Sequence, residues 1–272
     1  MDASARTPYP SDVRDEAWHF VLPDPTLLRG DAPPRRHDPR ALCNALRWLV
    51  RTGAPWAYLP HAFPAWTTVS RQARRGIAAG VFAAMARDLR ALRRVAAGRA
   101  PEPTAVIPDR RTVQSTPLRG ERAADDGAKR RKGSTIHIAV DTLGHPLALR
   151  VTPADAQDRA QVAALLSAVQ EVTDNRVAIA YVDQGYTGAG PAAEAARRGV
   201  ALVIVTLPQT KRGCVLLPKR RVVGRPCAWL ATFRRLARDD ERVPQVLAGL
   251  HLLALACLLL ARHLAPVAQV HN

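Results

Sequence analysis

The stretch "AIAYVDQGYTG", from Ala178 to Gly188, is an apolar run that stops on an acid. The residues before Asp183 are almost all apolar, which is typical of a strand buried on both faces of a sheet. Gly185 and Gly188 follow within five residues and indicate a sharp turn. The stretch therefore predicts a buried strand whose carboxyl end carries Asp183.

A second short strand, "TAVIPD", is predicted to end on an acid in the same way, at Asp109. Functional side chains collect at strand ends, so Asp109 and Asp183 converge if the two strands are neighbours. Two converging carboxylates repel unless a divalent cation or a proton compensates, and oxygen ligands favour magnesium or manganese. Two such ions about 4 Å apart can clamp a phosphodiester. The open alternative is that both aspartates only cap helices or turns.

The segments around these strands alternate between strand and helix patterns. "STIHIAVD" and "PLALRV" alternate in polarity and are joined by "TLGH", which predicts a β-hairpin. "DRAQVAALLSAVQEV" and "GPAAEAARRG" predict helices, and "ALVIVTLP" predicts another buried strand. The order predicts an α/β domain with a mixed five-stranded sheet.

The chain divides by pattern into four parts. Residues 1–98 are predicted to be all-helical, with "HDPRALCNALRWLVRTG" as the clearest helix: Asp38 caps its start and Gly53 its end. The Pro-rich residues 99–104 predict a linker. The sheet domain is predicted over 105–245, with a mobile charged loop at 118–133, and a C-terminal apolar helix packed on it over 246–272.

The chain has a formal net charge of +17, and the basic residues are unevenly placed. Residues 1–100 carry 16 basic and 8 acidic side chains, residues 101–200 carry 13 and 12, and residues 201–272 carry 11 and 3. Cationic flanks around a neutral centre favour a polyanionic partner, nucleic acid above all, although an Arg-rich composition alone gives the same bias.

Cellular location is predicted from the cysteines and the apolar segments. The four cysteines form no CxxC pair and no disulfide framework, and no signal peptide opens the chain, which predicts a cytoplasmic protein. The apolar stretch from Val246 is about long enough to span a bilayer, but His251 interrupts it. We expect a buried terminal helix there and not a membrane span.

Several motifs occur in an order that resembles one family. The chain is similar to bacterial transposases of the insertion-sequence-5 group, within the insertion-sequence-4-like DDE superfamily. The matching segments, in chain order, are "YPSDVRDEAW", "LRWLVRTGAPWAYLPHAFPAWTTVSRQ", "DRRTVQST", "DGAKRRKGSTIHIAVDTLGHPLALRVTPADAQDRAQ", "AYVDQGYTG", "KRGCVLLPKRRVV" and "RRLARDDER".

The resemblance implies a helical DNA-binding region followed by an RNase H-like catalytic core. It implies that Asp109 and Asp183 are the first two catalytic acids and hold Mg²⁺, with Mn²⁺ as a substitute. The partners it implies are terminal inverted repeats and target DNA, cleaved and joined by a protein multimer.

The family's third acid is missing. The resemblance places a Glu at position 224, where this chain has Gly224, and Pro226 and Cys227 replace the residues that normally follow. Glu241 lies seventeen residues further on and would need a large register shift. Pro108 is a second departure, because a proline lacks a backbone donor and suits an edge strand.

These departures from the family pattern predict that the chain is a degenerate copy of such a transposase, with weak or absent catalysis. The alternative is a DNA-binding remnant that occupies the repeats, and a third hypothesis is a general nuclease with the same core fold.

Three groups of basic residues are predicted to contact DNA, with Arg234 and Arg238 one helical turn apart. A solvated surface is the alternative for the groups at 71–75 and 129–132. His137 and Asp158 have no assigned chemistry, and Asp158 is expected to be a helix cap. The predicted DNA-contacting residues are Arg71, Arg74, Arg75, Lys129, Arg130, Arg131, Lys132, Arg225, Arg234, Arg235 and Arg238.

Overall fold

A computed structural model describes most of the chain. The described residues are 6–21, 37–116, 124–126, 131–156, 158–183, 188–205 and 228–264.

The first hundred residues contain four helices. They are α1 (Asp15–Val21), α2 (Pro39–Thr52), α3 (Trp66–Ala78) and α4 (Val81–Ala96), with a 3-10 turn at Trp56–Tyr58. The caps predicted for α2 are confirmed: the Asp38 carboxylate accepts hydrogen bonds from the Arg40 and Ala41 amides, and Gly53 ends the helix at φ 75°. Gly53 also lies directly against the backbone of Arg234, where a Cβ would come within 2.9 Å of the Arg234 Cβ.

The remaining described residues form a mixed sheet with helices on both faces. The strands are β1 (Ala105–Gln114), β2 (Ala124–Asp126), β3 (Arg131–Val140), β4 (Pro146–Pro153), β5 (Ile179–Val182) and β6 (Ala201–Ile204). The helices are α5 (Asp158–Val172), α6 (Ala189–Ala196) and α7 (Pro244–Leu264). Strand β3 pairs antiparallel with β1, β2 and β4, whereas β1, β5 and β6 are parallel neighbours. The five predicted strands are present, and this arrangement is the RNase H-like α/β fold.

Two details of the sheet differ from the sequence prediction. Strand β1 does not end at Asp109 but continues to Gln114, paired with β3 from Ile107↔Val140 to Gln114↔Gly133. The segment 118–133, predicted as a loop, contains β2 and the start of β3. The second half of β1 and the short β2 are polar, so they lack the apolar alternation that marks a strand. Pairing with β3 places both of them in the sheet.

The sheet separates two hydrophobic layers. On one face, Val106, Ala180 and Val182 pack with the α5 side chains Val162 and Leu166. On the opposite face, a larger cluster joins the sheet to α7 and to the N-terminal helices α2, α3 and α4; its sheet members include Ile107, Ile138 and Val140. The N-terminal helices and the sheet therefore share one core.

Two ion pairs connect α4 to the segments that follow it. Arg94 lies 2.6 Å from the fully buried Asp141 carboxylate, and Arg90 lies 2.8 Å from Glu102. Asp141 also accepts hydrogen bonds from the Leu143 and His145 amides and so orders the turn between β3 and β4. Burial alone raises the pKa of Asp141, but the hydrogen bonds from His145 and Arg94 outweigh it and hold that pKa below its usual value.

Helix α7 lies in the core. By length and composition it could cross a membrane, yet 61% of its apolar span is buried inside the protein. His251 in its centre is fully buried, and its Nδ1 lies 2.8 Å from the Leu247 carbonyl.

Candidate active site

Asp109 and Asp183 occupy equivalent positions on neighbouring parallel strands. The β1–β5 register pairs Ala105 with Ile179 and Val106 with Ala180. Continued by three residues, this register would pair Asp109 with Asp183, which lies one residue beyond the end of β5. The structure thus places one predicted acid in β1 and the other directly after its parallel neighbour β5.

The two acids also share a face of the sheet. Side chains alternate along a strand, so Asp109 points to the same side as Ile107, and it pairs with Ile138 on β3. Ile107 and Ile138 belong to the cluster beneath α7 and the N-terminal helices, and Tyr181 packs against that cluster. Asp183 follows Tyr181 by two residues and so takes that face as well, opposite to α5.

Both carboxylates are half-buried. One oxygen of Asp109, Oδ1, accepts a hydrogen bond of 2.8 Å from the Arg110 amide, which restricts the Asp109 rotamer. Carboxylate oxygens are ligands that Mg²⁺ and Mn²⁺ prefer, and a cation relieves the repulsion between two neighbouring carboxylates. The donor pair therefore fits a divalent ion.

A third ligand is not found among the described residues. Position 224, with Arg225, Pro226 and Cys227, lies outside them, and within the described ranges no three His, Cys, Asp or Glu side chains form a group that could hold a metal ion. The residues present supply two of the three acids that the family resemblance implies.

Glu241 is engaged elsewhere. Its Oε1 lies 2.9 Å from Nε and 2.6 Å from Nη2 of Arg235, and both side chains are buried. The neighbouring Asp239 amide donates to the Gln114 carbonyl at the far end of β1. Five residues of extended strand separate Gln114 from Asp109, about 16 Å. The ion pair and this placement both argue against Glu241 as a substitute third acid.

The predicted DNA-contacting residues divide by exposure. Arg71, Arg74 and Arg75 are exposed on α3, and Lys132 is exposed at the start of β3. Arg131 begins β3, while Lys129, Arg130, Arg225 and also Gly185 and Tyr186 lie outside the described residues.

The structure of residues 234–238 differs from two sequence predictions. The prediction that Arg234 and Arg238 are one helical turn apart is wrong, because a 3-10 helix covers only Arg234–Leu236. Arg235 is only 6% exposed, with its guanidinium bound to Glu241 and donating to the Ala54 carbonyl. Arg234 and Arg238 remain exposed.

His137 is a buried polar residue to which the sequence assigns no chemistry. It lies on the α5 side of the sheet, away from the two acids, with Nε2 3.0 Å from the Thr152 hydroxyl. Burial, and then the charges of Arg110 and Arg150, lower the pKa of His137 to about 4. His137 is therefore neutral near pH 7. No sequence signal marked His137 as buried, because the alternation places it on the face opposite Ile136 and Ile138.

The fold, an RNase H-like mixed sheet with a helical N-terminal region, defines the broad class of this protein. Comparison with known proteins narrows the class. The family described as "Transposase DDE domain" matches residues 101–259, more than half of the chain, and "Putative transposase of IS4/5 family" matches residues 13–86. The chain belongs to the DDE transposases of the IS4/5 type. DDE transposase domains generally use divalent metal ions.

Individual relatives match less of the chain. A "Putative transposase for insertion sequence element IS402" from Burkholderia cepacia is 35% identical over 118 residues, which is 41% of this chain. The match spans about half of that relative, 56% of its length. A solved structure, "Mos1 transposase paired-end complex with left transposon end", covers 63% of this chain and 59% of its own at 13% identity. Its TM-score of 0.27 is too low to support a structural argument.

Proposed function

We propose that this chain is the transposase of an insertion sequence, which binds the terminal inverted repeats of its element and acts on them by metal-dependent strand cleavage and strand transfer. The observation that supports the proposal is that Asp109 lies in β1 and Asp183 directly follows β5, the parallel neighbour of β1, in an RNase H-like sheet. Family membership supports it independently.

Asp109 and Asp183 would hold Mg²⁺, or Mn²⁺ in its place. Bound divalent ions supply Lewis-acid stabilisation of the attacking and leaving oxygens of a phosphodiester. The protein's own contribution is orientation: the neighbouring parallel strands β1 and β5 lead to the two carboxylates, and the Arg110 amide holds one Asp109 oxygen. A general nuclease would use the same pair but would show no preference for inverted repeats.

We further propose that this copy is catalytically impaired. Two acids remain, position 224 carries no side-chain donor, and Glu241 is bound to Arg235. The chain retains exposed arginines suited to phosphates, so a cleavage-defective copy can still occupy the repeats. The second candidate function is therefore a DNA-binding remnant that competes with active copies.

The DNA partner is double-stranded, at the transposon ends and at the target site. Exposed arginines on α3, together with Lys132, Arg234 and Arg238, supply cations for backbone contacts. We propose that the protein works as a multimer on DNA, in the cytoplasm and associated with the nucleoid.

The test is Mg²⁺-dependent cleavage of a labelled inverted-repeat duplex by the natural chain, Gly224→Glu and Gly224→Gln. We expect cleavage by Gly224→Glu only, because glutamine matches glutamate in size but lacks its charge. Binding of the same duplex by all three proteins shows that loss of cleavage is not loss of DNA affinity.

Two results would count against this proposal. Cleavage by the natural chain at the rate of Gly224→Glu would show that the third acid is not needed or lies elsewhere. Equal binding of repeat and scrambled duplexes by all three proteins would contradict repeat recognition and favour a general nuclease.

A further inference from the structure

Pro108 lies in the central part of the sheet, not at an edge as the sequence suggested. Strand β1 has β3 on one side and β5 on the other. A proline has no backbone N–H, so one of these two ladders must lack a hydrogen bond at this point. Pro108 immediately precedes Asp109, so the position of that loss matters for the candidate site.

Backbone hydrogen bonds at the two ends of β1 show which ladder is affected. The Ser115 amide donates to the Lys132 carbonyl of β3 at 3.1 Å, so odd-numbered residues of β1 turn their backbone polar groups towards β3. The Thr104 carbonyl accepts from the Ala178 amide, just before β5, at 2.9 Å, so even-numbered residues face β5. The nitrogen of Pro108 therefore faces β5.

The extent of strand pairing agrees with this direction. The β1–β3 register continues unbroken past Pro108 to Gln114. The β1–β5 register stops at Val106↔Ala180, although β5 pairs with β6 through Val182. In a regular parallel ladder an amide at position 108 would donate to the Tyr181 carbonyl and extend the pairing to Val182.

The interruption falls at the level of the two acids. Paired strands lie about 4.8 Å apart, and a continued ladder would hold Asp109 and Asp183 at about that backbone spacing. Pairing that ends at Val106 and Ala180 leaves the last three positions of the register without this constraint. A metal site needs its ligands held within a few tenths of an ångström, so loss of the ladder that would fix the spacing of these two strands weakens binding.

We propose that Pro108 is a positioning residue that uncouples β1 from β5 beside the candidate site, so that metal binding by this chain is limited at position 108 as well as at position 224. The metal part of this inference rests on the proposed function; the uncoupling of the strands does not. Repair of position 224 alone therefore restores only part of the site.

The first experiment measures amide hydrogen exchange in the full-length chain. Pro108→Ile supplies an N–H with a β-branched side chain suited to a strand. Pro153→Ile is the matched control. Pro153 ends β4 and pairs with Ser134 of β3, so this substitution removes a proline from the same sheet but leaves the sequences of β1 and β5 unchanged. Thermal unfolding of both variants establishes that they fold.

We expect the new amide at position 108 to exchange at least about 100-fold more slowly than an unstructured amide, and the Asp183 amide to slow in Pro108→Ile but not in Pro153→Ile. Rapid exchange at position 108 while the β1–β3 amides stay protected would overturn the inference.

The second experiment measures Mn²⁺ affinity by calorimetry in the Gly224→Glu background. Adding Pro108→Ile is expected to tighten binding about tenfold, and adding Pro153→Ile to leave it unchanged. Protection at position 108 with no gain in affinity would refute the positioning role. The exchange and affinity results could come out as expected while no variant binds repeat DNA. That outcome would contradict the proposed function but not this inference.

Discussion

At the scale of single residues, Arg235 and Glu241 show how a partner changes a residue's role. The sequence assigned Arg235 to DNA and left Glu241 as a possible replacement acid. The structure pairs them at 2.6 Å, with side-chain exposures of 6% and 9%. Arg235 also donates to the Ala54 carbonyl beside the α2 cap, so the pair joins the 3-10 turn to α2. Its role in this fold is structural.

Glu241→Gln is expected to destabilise the protein by about 3 kcal/mol, because it leaves the Arg235 charge buried without its counter-ion. Urea unfolding measures this change. Glu194→Gln is the control: it disrupts part-exposed ion pairs on α6 and should cost less than about 1 kcal/mol. Loss of metal binding in Glu241→Gln without loss of stability would instead identify Glu241 as a ligand.

At the scale of elements, α3 presents a cationic surface. Its buried side, Val69 and Ala73, packs into the core, while Arg71, Arg74 and Arg75 are exposed, and the helix contains no acidic residue. Residues three and four apart lie on one helix face, so the three guanidinium groups form one patch. Such a patch suits phosphate contacts, which give affinity and salt dependence more than sequence specificity.

Replacing Arg71, Arg74 and Arg75 by Gln is expected to weaken inverted-repeat binding about tenfold or more and to reduce the slope of log affinity against log salt by about 2 to 3. Fluorescence anisotropy over a salt series measures both. The control replaces the exposed Arg87, Arg176 and Arg197, which removes the same charge from other elements. Equal losses in the two triple variants would show that only net charge matters.

At the scale of the whole molecule, buried neutral histidines make the fold sensitive to acid. Burial, opposed by the Leu247 carbonyl and reinforced by Arg111, lowers the pKa of His251 to about 4. His137 on the other side of the sheet has a similarly lowered pKa. Between pH 6.5 and 4 the unfolded chain binds protons at these positions and the folded chain does not, so stability falls as the pH falls through that window.

His251→Leu is expected to flatten this pH dependence. The shift from 6.5 to about 4 corresponds to about 3 kcal/mol per histidine between pH 7 and pH 4. Unfolding free energies at several pH values measure the slope in wild type, His251→Leu and His61→Gln, an exposed control. An unchanged slope in His251→Leu would mean that His251 is already protonated in the folded protein at about pH 5.

Local chemistry made part of the fold predictable. The α2 caps depend on Asp38 and Gly53 and their immediate neighbours, and the β3–β4 hairpin follows from alternation over a few residues. The end of β5 just before Asp183 follows from an apolar run that stops on an acid. These features are encoded within a few residues of each other, so sequence pattern alone sufficed.

The rest was decided by contacts between distant parts of the chain. The polar half of β1 is a strand because β3 pairs with it, and Pro108 is central because β5 lies on its other side. Arg235 is buried because Glu241 and the end of α2 meet it. The sequence by itself determined the helices and the apolar strands, because their patterns repeat within a few residues. The tertiary structure decided which charges face solvent and where a backbone donor is missing, since burial and strand partners depend on residues far apart in the chain.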